Sequence, residues 1–375
     1  MASNLLMVSN FSSSTGYAWK MIGSCFNELG RDFISNGHRA IVCYPKVDSI
    51  PDYLKEKNIE VVEFDFGNAS FIDLARFIRK HRIKLVYLID RGSFSLKYAV
   101  LRLSGVRKII VHDHTSSQRT PPKGIKRAIK ILANKLKIIS SDKVLVISEY
   151  VKHRQIEVSC VPFNKIITVL NGVDNNDYKP ENKLDLNSIY NIPLNKKIVF
   201  CGGRANYYKG IHHFIQAADL LVNNRKRKDL FFLYCGDGPD LEKFKLQVKD
   251  LKLEKDFLCA GQVYNINRIL PSVDICIVPS IWQEGFGLAV IEAMAAGKPV
   301  IASRVGGMAE IIDNGIDGFY VEPGDYAGIA DLIERLVDDR GLYEKTSMAA
   351  YEKVISKYDI KEQQRAIIQI FHDLL

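Results

Sequence analysis

The chain has 375 residues, 47% apolar and 25% charged, enough for two domains that each bury a core, which excludes a disordered or fibrous chain. No run nears the roughly 20 apolar residues of a membrane-spanning helix. The net charge of +9 is uneven: residues 1–180 carry 28 Lys+Arg against 16 Asp+Glu, the remainder 24 against 27, so the first half is the one suited to an anionic partner.

The start, MASNLLMVSNF, lacks the basic head and long apolar run of a signal peptide. Residues 4–8 read as a strand, followed by the polar loop 9–16 and a helix that Gly37 stops. Further strands are expected at 39–43, 60–64, 85–89, 108–111 and 143–147, with helices at 70–81, 93–104, 122–139 and 149–157. Ser148 is the expected N-cap of the last. Strand alternating with helix implies a parallel, doubly wound α/β sheet, whose ligands sit beyond the carboxyl ends of the strands. The loop at 12–16 lies at such an edge and is not a G-x-G-x-x-G fingerprint. His112 and His114 follow the strand at 108–111. Their spacing suits a metal, but no third ligand has suitable spacing. Alternatively, one neutral imidazole hydrogen-bonds a polar ligand.

Residues 123–137, KGIKRAIKILANKLK, hold Ile125, Ile129, Leu132 and Leu136 on one face, with six Lys or Arg and no acid. They read either as a surface helix that meets anionic lipid or as an ordinary amphipathic helix packed on the sheet. No aromatic residues interleave with the lysines, which disfavours nucleic acid.

Residues 177–195 read as a linker. Strands follow at 197–201, 231–234, 258–263, 274–278 and 299–302. Gly202-Gly203-Arg204 and Lys209-Gly210 set two cations beside a glycine turn, a clamp suited to a diphosphate. Glu284 and Glu292 bracket Gly285-Phe286-Gly287-Leu288. The helical pattern begins just after Gly285 and runs to Ala296. Free N–H groups at such a start suit phosphate, and the second carboxylate lies two turns along. Helices are expected at 326–338, 341–356 and 360–375. The seven cysteines form no C-x-x-C pair and fall mostly near strands, as apolar fillers in a reduced cytosol. The expected location is cytoplasmic, with a peripheral seat on the membrane's inner face as an extension.

The E-x7-E pair enclosing GFG, then AAGKPVIAS, VGGMAEII and DGFYVEPGD, resembles the donor-binding region of retaining GT-B glycosyltransferases of family four (glycosyl transferases group 1). The resemblance covers most of the second half and, more loosely, the whole chain. It implies two Rossmann-like domains facing a central cleft: 1–175 on the acceptor side, with a C-terminal helix at about 358–375 packing back on it, and 190–357 on the donor side. It implies a hexosyltransferase-type enzyme moving sugar from a nucleotide sugar, expected to be UDP-linked, to a glycan or lipid-linked saccharide in surface polysaccharide synthesis. Arg204 and Lys209 would bind the diphosphate, and Gly285, Phe286, Gly287 and Leu288 the phosphate or sugar. Glu284 would touch the sugar, Glu292 the ribose, and the edge near Val263 the base. Gly16, with Thr15 behind it, and His114, with His112 as rival, would face the acceptor. Glu284, His114, Arg204 and Lys209 are the catalytic candidates. No D-x-D occurs, so no metal or other cofactor is expected. Rival readings are a sugar phosphorylase, an epimerase, or a non-catalytic nucleotide-sugar-binding subunit.

Overall fold

The structure, a computed structural model, describes residues 3–14, 20–51, 54 and 58–375. It divides into two compact units, Met1–Asn171 with Ile360–Leu375, and Gly172–Asp359.

The first unit holds seven parallel strands: β1 (Asn4–Val8), β2 (Ala40–Tyr44), β3 (Glu60–Glu63), β4 (Ile83–Ile89), β5 (Lys108–Asp113), β6 (Lys143–Val146) and β7 (Ile166–Thr168). Their order is β3-β2-β1-β4-β5-β6-β7, so the winding reverses between β1 and β4. A parallel sheet covered on both faces needs strands that are apolar at every position. β1, NLLMV, is buried throughout. Leu5 and Met7 join one core cluster, with Phe26 and Tyr87, and Leu6 and Val8 the other, with Val86 and Leu88, as the two-residue period requires. Ser148 caps the helix Glu149–Glu157 by accepting from Val151 N–H at 3.1 Å.

The closing helix, Ile360–His372, belongs to this unit. It buries Ile360, Ile367 and Phe371, and the Phe371 ring meets Tyr87 edge-on at 5.3 Å. Gln364 Nε2 donates to Ser24 Oγ at 2.7 Å, so the chain's last turns are fixed to the helix Lys20–Ser35 near its beginning.

The second unit holds six parallel strands: β8 (Lys197–Gly202), β9 (Leu230–Cys235), β10 (Phe257–Cys259), β11 (Ile275–Val278), β12 (Val300–Ser303) and β13 (Phe319–Val321). Their order, β10-β9-β8-β11-β12-β13, reverses between β8 and β11. The α/β class expected from the alternation is the one found.

Two local expectations are corrected and one open alternative is decided. The stretch read as a linker is folded into the second unit, with 3-10 turns at Asn175–Tyr178 and Pro180–Asn182 and a short helix, Leu186–Tyr190, capped by Asp185. The helix expected from just after Gly285 starts at Leu288, because Gly287 sits at φ +145°, outside the helical region. The basic helix, Gly124–Lys135, does not pack its apolar face on the sheet: Ile125 is 77% exposed, Ile129 57%, Leu132 59% and Leu136 45%. Its inner side is instead Ala133 and Asn134, and Asn134 Nδ2 donates to Ser159 O at 2.8 Å. Among the described residues no helix is long and apolar enough to cross a membrane.

Candidate active site

The reversal between β8 and β11 is where an open parallel sheet offers a crevice beyond its strand ends. The loop after β8 carries Arg204 and Lys209, and the loop after β11 carries Glu284. Lys209 Nζ stands 2.6 Å from Glu284 Oε1, and Ser280 Oγ donates to the same oxygen at 2.7 Å. The backbones are joined too, by Ile281 N–H to Tyr208 O at 3.0 Å.

Two glycines make this approach available. At Gly210, φ is +72° and a Cβ would stand 1.8 Å from the Pro279 carbonyl oxygen. At Gly306, φ is +48° and a Cβ would stand 2.2 Å from the Glu284 carbonyl oxygen. That carbonyl accepts from Gly307 N–H at 2.8 Å, while Gln283 Oε1 accepts from Gly306 N–H at 2.7 Å. The K-G and V-G-G motifs are therefore packing devices that hold Lys209 and Glu284 in place. The ion pair itself is partly exposed, and such pairs contribute at most about 1 kcal/mol, so stability does not account for this construction.

Arg204 is exposed and forms no ion pair among the described residues. Gly287 caps the helix Leu288–Ala295, whose first turn bond runs from Val290 N–H to Gly287 O at 3.0 Å. The Leu288 and Ala289 N–H groups precede that bond and point out of the helix start. Glu292 lies on this helix, half-buried, and Gly285 is buried before it. Phe286 offers only its backbone, since its ring is in the interior. Val263 is half-buried in the loop after β10, two strands from β8, and among the described residues no hydrogen bond joins it to Lys209 or Glu284. Ser280 escaped the sequence reading, although it stands four residues before Glu284. So did Tyr208 and Trp282, whose rings meet at 4.9 Å beside the pair.

In the first unit the two histidines are separated in role. His112 is fully buried, its Nδ1 2.6 Å from the Tyr87 hydroxyl, and burial with His114 nearby holds its pKa well below the usual range. His114 follows β5 at the carboxyl edge. Burial lowers its pKa to about 4, so it is neutral at physiological pH. Next to it, burial pushes the Asp113 carboxyl up, but Arg154 at 2.7 Å, Thr115 and Gln155 together hold it below the usual range. This buried pair fixes the chain as it leaves β5. Gly16 and Thr15 lie outside the described residues.

Comparison with known proteins identifies the family. The profile described as Glycosyl transferases group 1 matches residues 182–353, and that of Glycosyltransferase Family 4 matches residues 22–177. The Escherichia coli UDP-Gal:alpha-D-GlcNAc-diphosphoundecaprenol alpha-1,3-galactosyltransferase is 27% identical over 313 residues, 82% of this chain and 79% of its own. A glycosyltransferase crystal structure from Rickettsia africae ESF-5 superposes with a TM-score of 0.82 at 23% identity, over 100% of this chain and 98% of that one. Anabaena Alr3699/HepE in complex with UDP-glucose does so with a TM-score of 0.78 at 20% identity, over 99% of each chain. The chain belongs to the glycosyl transferases group 1 and is a glycosyltransferase with the two-domain GT-B fold.

Proposed function

We propose that this glycosyltransferase moves a sugar from a UDP-sugar to a lipid-linked saccharide in surface polysaccharide synthesis, with retention at the anomeric carbon. The observation that carries the reading is the Lys209–Glu284–Ser280 cluster at the second unit's strand reversal. The name of the Escherichia coli relative and the UDP-glucose in the Anabaena structure support the choice of donor and acceptor class.

In this reading Lys209 and Arg204 hold the diphosphate, and their charge stabilises the nucleotide as it leaves, without a metal. The N–H groups of Gly285 to Leu288 meet phosphate or sugar. Glu284 takes sugar hydroxyls, Glu292 the ribose and the loop at Val263 the base. Gly16 and His114 face the acceptor. The acceptor oxygen bonds to the anomeric carbon as the bond to phosphate breaks, and the acceptor's proton passes to the departing phosphate oxygen.

The exposed face of the helix Gly124–Lys135 favours a seat on an anionic membrane, where a lipid-linked acceptor resides. Its apolar side chains have no cover from the described residues, and exposed Lys123, Lys126, Lys135 and Lys137 surround them.

A thermal-shift series with UDP, GDP, dTDP and ADP tests the donor. At 100 times its dissociation constant UDP adds about 2.7 kcal/mol of stability, so it should raise the midpoint and the others should not. A shift with another nucleotide would replace the UDP assignment, and none with any would defeat the donor site.

A further inference from the structure

The first sheet also reverses its order, between β1 and β4, and the same rule places a ligand there. No sequence motif marks Asn10 or Asp90, yet with His114 they bring polar groups from three neighbouring strand ends together there. Asn10 follows β1, and its Nδ2 donates to the carbonyls of Ile89 at 2.5 Å and Asp90 at 3.3 Å, at the end of β4. Asp90 holds a left-handed φ of 53°, a costly conformation for a residue with a side chain. Its Oδ1 accepts from the His114 N–H, after β5, at 2.7 Å.

The local hydrogen bonds account for Asn10 Nδ2 and Asp90 Oδ1. Among the described residues they leave Asn10 Oδ1 and the His114 Nε2 buried without a partner. Buried polar atoms are almost always paired, so two unpaired ones that share the ligand edge of one sheet fit a ligand that supplies the partners. A phosphate does not fit, because Asp90 would face it. A polyol fits: neighbouring hydroxyls can donate to Asn10 Oδ1 and Asp90 Oδ2, and a neutral imidazole can donate or accept.

We propose that Asn10, Asp90 and His114 form a saccharide subsite at the β1–β4 reversal, which takes hydroxyls of the acceptor sugar. The proposal rests on the transferase reading above for calling the sugar the acceptor. Asn10 and Asp90 are its new members, both positioned by sheet order alone.

The subsite also carries a pH dependence. Burial pushes the Asp90 carboxyl up to about 7, with Asp113 adding to the effect and the His114 N–H, Arg154 and Arg91 opposing it. Asp90 therefore becomes a full acceptor only as pH rises through that value, and sugar binding should strengthen over the same interval.

The test uses the whole protein and Asp90→Asn, which keeps the side chain's size and an oxygen for the His114 N–H. The probes are the methyl α-glycosides of glucose, galactose and N-acetylglucosamine, and an N-acetylglucosaminyl diphospholipid. The Asn10 side-chain amide resonance, assigned by its loss in Asn10→Ser, reads binding without turnover. It should shift saturably with at least one probe in the parent, more tightly at pH 8 than at pH 6. In Asp90→Asn the affinity should fall tenfold or more and lose its pH dependence, while the UDP-induced thermal shift stays. Where the parent transfers sugar to a probe, the variant's acceptor KM should rise by the same factor. No Asn10 response to any probe overturns the proposal, as does equal affinity in parent and variant. Loss of the UDP shift from the parent would overturn the donor reading separately, because the Asn10 resonance reports on the first unit alone.

Discussion

The two sheets reverse their winding at equivalent places, β1 beside β4 and β8 beside β11, and the two places are furnished in opposite ways. The second unit's reversal carries charged side chains that stay partly in water, Lys209 at 41% exposure and Arg204 exposed. The first unit's reversal carries half-buried groups that avoid charge, a neutral His114 and a carboxyl raised to about 7. On the assignments proposed above, the difference follows from the ligand. A diphosphate brings two charges and a hydration shell, so its site needs cations that remain solvated until it arrives, since burying an isolated ion is costly. A sugar ring brings only hydroxyls, which are best recognised by dry, oriented dipoles.

The widest separation of the two units should come from the closing helix. Phe371 is fully buried against Tyr87 and Phe33 in the first unit. Truncating it to Ala should cost about 3–5 kcal/mol. The lower transition in a melt should move down while UDP still protects the rest of the protein. A single transition that falls as a whole and loses its UDP response would show that the two units do not unfold separately.

Within the second unit, Lys209→Ala and Arg204→Ala should each lower kcat/KM by about 100- to 1000-fold, the scale for removing one group that stabilises developing charge. The melting temperature should barely change, because these groups are partly exposed. Steady-state kinetics with a UDP-sugar checks this. Parent rates in both variants would remove the diphosphate role and leave the Lys209–Glu284 pair unexplained.

The proposed donor side was legible because its residues fall in short motifs, 202–210, 284–292 and 305–307, which the order β8-β11-β12 then brings together. Each motif is compact in sequence, although Gly210 fits against Pro279 and Gly306 against Glu284 across neighbouring loops. Of the proposed acceptor subsite only His114 was legible, for the opposite reason. Asn10, Asp90 and His114 come from three strand ends far apart in the chain, and only the order β1-β4-β5 makes them neighbours. Periodicity placed nearly every helix and strand, yet three edge strands, β7, β10 and β13, have only three residues and carry no period; of these only β10 was read, from the apolar start of 258–263. It also showed that the helix Gly124–Lys135 has an apolar face without showing what covers it, since a stripe of Ile and Leu reads the same on a core or on a membrane.

The two sites should also differ in what they cost the fold. A carboxyl whose folded pKa lies above its ordinary value of 3.8 favours the native state only while protonated. Its penalty is absent below about pH 4, grows with pH and is complete above 7. Asp90→Asn should therefore stabilise the protein at pH 8 by about 2–4 kcal/mol and at pH 4 by little. Melts of parent and variant at both pH values measure the difference. A variant equally stable or less stable than the parent at pH 8 would mean that Asp90 is not strained by its surroundings.

The smallest expected effects belong to the lysines of the exposed helix. Lys130 Nζ donates to the Val158 carbonyl at 2.8 Å, and Arg127 pairs with Glu157 at 3.7 Å, so these two tie the helix to the unit. Lys126 and Lys137 are exposed, and each near an anionic surface contributes about 1 kcal/mol, roughly a fivefold change in partitioning. Reversing either to Glu should weaken co-sedimentation with anionic vesicles by somewhat more than that factor and leave UDP binding unchanged. Ile129→Asn with Leu132→Asn should weaken binding further, because burying each of these side chains is worth up to about 1.5–3 kcal/mol. The two sets separate the forces: added salt should abolish the lysine effect and spare the apolar one. If the parent binds neither anionic nor neutral vesicles, the stripe of Ile and Leu is covered by something other than lipid.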